Sequence, residues 1–175
     1  MSEPESPFSE HDFEPELPNR VMDLWTALMR SGRGTEWDLL ICNPPYISPN
    51  HFYTTTSRSV RNFEPKLALV PPPSESGLTD EQQGDLFYPR LLHLADKLKS
   101  KILLMEVADL SQAERVAAMA QERDCWSGVE IWCDQPGMPW RDSNLYNVPI
   151  LGQGHGRSVF CWRDIDMISP ISSSG

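Results

Sequence analysis

The residues most able to do chemistry are Asn43-Pro44-Pro45-Tyr46, which directly follow the apolar run "DLLIC". The carbonyl of an asparagine side chain accepts hydrogen bonds. Pro45 fixes its own φ and restricts Pro44, so the Pro44 carbonyl is held in one direction. Two fixed acceptors about one amide apart can grip a planar NH2 group. The Tyr46 ring can stack on a planar substrate or stabilise positive charge developing on nitrogen. Such a corner suits alkylation of an amide or aromatic amine, whose delocalised lone pair is a poor nucleophile. Holding that nitrogen in line with the incoming carbon can remove several kcal/mol of barrier.

Placing the corner requires a sheet. "DLLIC" is short and apolar throughout, which predicts a strand covered on both faces, as in a parallel α/β sheet. Ligands of open α/β sheets bind beyond the carboxyl ends of strands, which is where Asn43 falls. A long irregular segment is expected from Pro44 to about Gly84, containing "PPPSESG". A helix is expected from about Asp85 to Leu98, with Phe87, Leu91, Leu94, Ala95 and Leu98 on one face and Pro89 in its first turn. "KILLMEV" reads as a second strand and "LSQAERVAAMAQER" as a second helix, its start marked by Ser111 and Glu114 as a capping box. "VEIWC" and "RSVFCWR" read as two further strands, joined by a Gly/Pro-rich connection holding Trp140 and Tyr146. The order predicts an α/β fold ending in an antiparallel hairpin. A short helix carrying Val21, Leu24, Trp25 and Leu28 precedes the first strand. No internal repeat is found.

The bulk composition narrows the classes. The chain has 175 residues, a formal net charge of -10 and a mean hydropathy of -0.42. An acidic chain argues against nucleic acid as a partner. No apolar run approaches the roughly 18 residues of a membrane span. The acidic, proline-bearing start "MSEPESPFSEHDFEPELP" is neither a secretory signal nor an Arg-rich transit peptide. Residues 1–18 and 166–175 are expected to be disordered tails around a domain at 19–165. Cys42, Cys125, Cys133 and Cys161 form no C-x-x-C pair and read as free thiols. His11, His51, His93 and His155 are scattered, and no metal site is read.

With these residues in view, the sequence resembles a family. Asn-Pro-Pro-Tyr is the substrate-amine motif of class I, S-adenosylmethionine-dependent methyltransferases acting on planar amino groups. "SVRNFEPKLALV", Ser59 to Val70, resembles the S/D-V-R-x-F/Y-E-P-x-x-A-L signature of the HemK/PrmC family, which methylates the glutamine of the GGQ motif in peptide-chain release factors. "LLMEVADLSQAERV" resembles the family's L-L-x-E-x-x-x-x-Q-x-x-x-V, with Glu106 and Gln112 matching. The last two strands resemble its terminal hairpin, with Asp134 and Arg157 matching. The pattern is nearer the bacterial and organellar branch, which implies a mitochondrial or cytoplasmic setting. By this resemblance Asn43 and the Pro44 carbonyl hold the glutamine amide and Tyr46 walls the pocket, with Pro45 between them. Arg61, Phe63, Glu64 and Pro65 shape the acceptor loop. Glu64 reads either as part of the site or as a loop carboxylate satisfied by backbone N–H groups. Glu106 reads as structural. Asn43 also borders the pocket for S-adenosylmethionine.

The family builds the rest of that pocket before Asn-Pro-Pro-Tyr, from a strand ending in D/E-x-G-x-G. Residues before Asn43 contain no such turn, so the expectation is the C-terminal half of a Rossmann-like sheet without its cofactor half. "LGQGHGR" has G-x-G-x-G spacing at Gly152, Gly154 and Gly156. It precedes a strand, lacks the acidic residue, and reads as a flexible turn. "DLLIC" then has neighbours for one edge only, leaving an exposed edge through which the chain could associate. Two rival readings remain: an adenine-type DNA or RNA methyltransferase, and a non-catalytic fragment that binds release factor.

Overall fold

In a computed structural model, the residues described are 24–34, 36–74, 77–138, 141–142 and 148–163. The expected tails at 1–18 and 166–175 lie outside them, as do Val21, Trp140 and Tyr146. The chain divides into two units, Met1–Arg33 and Gly34–Gly175.

In the first unit, helix α1 spans Leu24–Arg30. Its end is closed by the Ser31 hydroxyl, which donates to the Leu28 carbonyl at 2.7 Å, and by Gly32 at φ +68. A positive φ is cheap for glycine, which has no Cβ to clash.

The second unit is built on strands β1 Leu39–Cys42, β2 Ile102–Glu106, β3 Gly128–Gln135, β4 Arg141–Asp142, β5 Pro149–Leu151 and β6 Gln153–Trp162. They form one six-stranded sheet in the order β1-β2-β6-β3-β5-β4. β1 runs parallel to β2, with Cys42 opposite Met105. β6 is antiparallel to both β2 and β3, the antiparallel pairing expected at the chain's end. β5 adds a parallel neighbour to β3, and β4 pairs antiparallel with β5.

Helices cover one face of this sheet. The core joins Leu103, Met105 and Val107 from β2 and its end with Val159 and Cys161 from β6 and Ile131 from β3. Against them pack α6, Tyr88–Lys97, through Tyr88, Leu92 and Ala95, and α7, Leu110–Gln121, through Ala113, Val116, Ala117 and Ala120. The alternate residues of the same strands point the other way. Trp132 stacks on Phe160 at 4.6 Å between ring centroids, and Trp162 follows at 5.5 Å.

β1 corrects the expectation of a strand covered on both faces. Leu39 and Ile41 are 47% and 63% exposed, while Leu40 packs against the core. A four-residue apolar run has no alternation to report which face is covered. Its outer edge has no strand partner among the described residues, as expected.

Other expectations are corrected as well. The segment after Pro44 is not irregular: it folds into α2 Pro49–Thr54, α3 Arg58–Phe63, α4 Lys66–Leu69 and α5 Asp80–Gly84. Ser48, Ser57 and Thr79 cap three of these short helices with their hydroxyls, which satisfies backbone N–H groups that short helices leave open. The helix expected from Asp85 starts at Tyr88, with Pro89 in the first turn. The cap of α7 is Asp109, not Ser111: the Asp109 carboxylate accepts the Gln112 N–H at 2.8 Å.

"LGQGHGR" is strand rather than flexible turn. Gly152 connects β5 to β6 at φ +87, and Gly154 has φ +93. A Cβ on Gly152 would meet the Gln135 carbonyl oxygen at 2.1 Å, and one on Gly156 would meet Leu110 Cα at 3.0 Å. These glycines are needed for close approach of β3 and α7, which accounts for their spacing without a ligand. All four cysteines are free thiols, Cys133 and Cys161 buried.

Candidate active-site corner

β1 delivers Asn43 to the carboxyl edge of the sheet, where the backbone leaves the strand. Asn43 is exposed and Pro44 is buried. Among the described residues the Asn43 side chain takes no hydrogen-bond partner. Its amide is therefore presented outward rather than consumed by the fold.

The residues behind it are held from several sides. The Tyr46 hydroxyl donates to Glu106 Oε1 at 2.9 Å. The Tyr46 carbonyl accepts Gln112 Nε2 at 3.1 Å. The Ile47 N–H donates to the Leu69 carbonyl at 2.9 Å, so the end of α4 returns to the corner. Gly84 is buried, and a Cβ there would meet the Tyr46 carbonyl oxygen at 3.2 Å and Ser48 Cβ at 3.3 Å. The absence of a side chain lets α5 lie against the corner.

Gln112 organises this arrangement. Its Oε1 accepts the Ala108 N–H at 2.8 Å, and its Nε2 also donates to Asp85 Oδ1 at 2.8 Å. Asp85 is 3% exposed, and Arg115 Nε donates to its Oδ2 at 2.6 Å. A buried carboxylate needs such partners, since leaving a charge unpaired in the interior is costly. The Tyr88 hydroxyl donates to the Glu106 carbonyl at 2.9 Å. Glu106, expected to be structural, thus meets the corner through both its side chain and its backbone. Sequence reasoning matched Gln112 without a role and missed Asp85 and Tyr88. The signals available were the three-residue spacing from Asp109 to Gln112 and the Tyr88, Leu92, Ala95 stripe of α6.

Electrostatics keep the Tyr46 phenol neutral. Burial first, then the hydrogen bond and charge of Glu106, push its pKa up to about 12, against a lowering by Arg157. Arg157 is itself engaged: its Nε donates to Asp134 Oδ1 at 2.7 Å. Asp134 Oδ2 also accepts the His155 N–H at 3.1 Å. The two matched residues meet where the β3–β6 register shifts, between the Trp132–Ser158 and Gln135–Gln153 rungs.

The structure does not bring all expected site residues together. Arg61 and Phe63 end α3, and Glu64 is its C-cap. Phe63 is 86% exposed, and Arg61 and Glu64 are exposed. The hydrogen bonds of this segment run to α2: Arg61 Nη1 donates to the Tyr53 carbonyl at 3.0 Å, and Lys66 Nζ to the Tyr53 hydroxyl at 3.1 Å. The Glu64 N–H donates to the Val60 carbonyl.

Beside the corner lies a polar cleft of about 470 Å³, bordered by Tyr46, Ser48, Asp80, Asp109 and Gln112. Among the described residues, no group of three or more His, Cys, Asp or Glu side chains could hold a metal ion. No described helix is long and apolar enough to cross a membrane.

Comparison with known proteins bears on this arrangement. The chain is 36% identical over 116 residues to the "Release factor glutamine methyltransferase" of Nitratidesulfovibrio vulgaris, covering 66% of this chain and 36% of that protein. It is 30% identical over 94 residues to the Schizosaccharomyces pombe protein named "Probable MRF1 mitochondrial N(5)-glutamine methyltransferase mtq1", covering 53% of this chain and 30% of that protein. It is 44% identical over 50 residues to the "Release factor glutamine methyltransferase" of Chlorobaculum tepidum, covering 29% of this chain and 17% of that protein. No family model matches the chain, and no solved structure matches it. The chain spans about a third of the length of the first two relatives. Their names do not favour the nucleic-acid reading. The matching motifs and these relatives together support a place for the chain in the HemK/PrmC family of release factor glutamine methyltransferases, to part of whose length it is similar.

Proposed function

We propose that this chain supplies the acceptor corner of a protein-glutamine methyltransferase, which holds the side-chain amide of the glutamine in a release factor GGQ loop while its nitrogen is methylated. The observation that carries this reading is the outward, unpartnered amide of Asn43 on a corner whose other groups are tied down. The Asn43 carbonyl and the Pro44 carbonyl would each accept one N–H of the substrate NH2. That grip fixes the direction of the nitrogen lone pair, a positioning effect worth several kcal/mol of barrier. Tyr46 closes the wall and meets positive charge growing on the nitrogen with its ring face. The surplus proton can leave the methylated amide for water, so no general base is required. Pro45 keeps the turn rigid, and Arg61, Phe63 and Glu64 on the exposed α3 segment would meet the polypeptide that carries the glutamine.

S-adenosylmethionine is the methyl donor that the family uses in general. The described residues do not form a cradle for it: the glycines of "LGQGHGR" serve strand and helix packing, and Asn43 is the one described residue assigned to its border. The roles given to this chain's residues therefore concern the acceptor amide alone. The mitochondrial name of the fission-yeast relative supports a mitochondrial location, with a cytoplasmic one as the alternative. The open edge of β1 is a further place where another segment or chain could pair.

The test is transfer of labelled methyl from S-adenosylmethionine to a GGQ peptide by the chain completed with the D/E-x-G-x-G cofactor half of a family member. Modified glutamine on that peptide is expected. Transfer to an oligonucleotide and not to the peptide would overturn the reading. A second reading, capture of release factor without methylation, draws on the missing cradle among the described residues. Co-purification of release factor without any methyl transfer would favour it.

A further inference from the structure

We infer that Glu106 is the positioning residue for Tyr46: its carboxylate accepts the phenol hydrogen bond, fixes the plane of the ring, and adds electron density to the ring face that meets the substrate nitrogen. This rests on the acceptor-corner reading above and adds to it a residue that touches neither substrate nor donor.

The geometry is specific. The Tyr46 hydroxyl reaches Glu106 Oε1 at 2.9 Å across 60 residues of sequence. Glu106 is the last residue of β2, one step beyond the rung that pairs Met105 with Cys42, and Asn43 is one step beyond Cys42. The two neighbouring strand ends therefore deliver the amide that grips and the carboxylate that aims the wall. The Glu106 backbone is fixed as well, since the Tyr88 hydroxyl donates to its carbonyl at 2.9 Å. Arg157 is the cation whose field reaches both Tyr46 and Glu106. Its guanidinium is held by Asp134 at 2.7 Å and donates to the Ala108 carbonyl at 3.4 Å, so the Glu106 carboxylate keeps Tyr46 as its hydrogen-bond partner.

A neutral acceptor at this place would orient the ring as well as a carboxylate does. It would not polarise it. A hydrogen bond to an ionised acceptor is roughly twice as strong as one between neutral groups. It draws the phenol proton toward the carboxylate and leaves the ring more negative on its face. The ring face is where a cation is attracted. Amide methylation turns a neutral nitrogen into a cationic one before the proton leaves, so a more negative wall favours the transition state over the ground state.

Glu106→Gln separates charge from geometry, because the glutamine carbonyl can still accept the phenol proton. The full chain carrying tyrosine labelled with 13C at Cζ is titrated by NMR toward alkaline pH. The Tyr46 phenol, held near 12 in the native chain, is expected to titrate at lower pH in Glu106→Gln, with the remaining spectrum unchanged. An unchanged titration in the folded variant would overturn the inference. In peptide methylation, Glu106→Gln is expected to lower kcat about tenfold with KM within about twofold. In a Tyr46→Phe background the same change should cost less than about twofold, because both act through one bond. Independent, multiplicative losses would also overturn it. If the native protein methylates no peptide, the proposed function falls, while the phenol titration still decides whether Glu106 polarises Tyr46.

Discussion

The side-chain amide of Gln112 donates to the backbone carbonyl of Tyr46 at 3.1 Å, tying the first turn of α7 to a corner 66 residues earlier. The same amide nitrogen donates to Asp85, and its oxygen takes the Ala108 N–H. One buried side chain thus joins β1's end, α7, the loop after β2 and the turn before α6.

Gln112→Ala is expected to destabilise the chain by about 3 kcal/mol, because it leaves the Ala108 N–H and part of the Asp85 carboxylate unpaired inside. Gln112→Glu should be worse, since it sets a second carboxylate against Asp85. Urea unfolding measures both. Equal stability of the alanine variant would mean that water replaces the amide at no cost.

How much of this was legible follows from the kind of contact involved. The place of Asn43 at the end of β1 could be read because the apolar run before it and the two prolines after it are local signals. β2, α7 and the β3–β6 ladder could be read because their apolar residues repeat along the chain. The roles of Glu106, Gln112 and Asp85 could not, because a hydrogen bond between residues 60 or 66 apart leaves no periodicity. The exposure of Ile41 was hidden for a different reason: which face of β1 is covered depends on where α6 and α7 pack. The short helices after Pro44 did leave a trace, in Ser48-Pro49 and Thr79-Asp80, where a capping residue is followed by one suited to a first helical turn. Their lengths of four to six residues gave too little amphipathic repeat to find.

The glycines that mimic a nucleotide loop give a sharper prediction. Gly152→Ala would place a Cβ 2.1 Å from the Gln135 carbonyl oxygen at a φ of +87. Strain and overlap together should cost about 3 kcal/mol or more. Thermal unfolding would read this loss directly. A stable variant altered only in ligand binding would return the segment to the role of a cofactor loop.

Acid stability should depend on Asp96. Burial opposes its charge, but hydrogen bonds from Cys125, Arg163 and Arg123 outweigh that and hold its pKa below the ordinary 3.8. Arg123 donates to it at 2.7 Å, and Arg163 contacts its other oxygen. A carboxyl with a depressed folded-state pKa adds stability above its unfolded value, and that stability fades as pH falls through the folded value. The contribution of Asp96 is therefore present above about pH 4 and lost below it. Asp96→Asn should lower stability at pH 7 and flatten the acid limb of the stability curve. The site is partly open to solvent, so the effect should shrink in high salt. A variant with the native acid limb would remove Asp96 from the account.

The most direct prediction concerns Asn43 itself. Its side chain is exposed and bonded to nothing among the described residues, so Asn43→Ala should change stability by less than about 0.5 kcal/mol. Its carbonyl is one of two acceptors proposed to hold the substrate amide, so the same change should reduce methylation of a GGQ peptide by about a hundredfold or more, the scale of losing one positioned polar group. Asn43→Asp keeps an acceptor but adds a charge and removes a donor, and should fall between the two. Melting curves and peptide methylation on the same preparations separate the outcomes. Loss of both fold and activity would show that Asn43 stabilises the corner, and retention of both would show that the amide is held elsewhere.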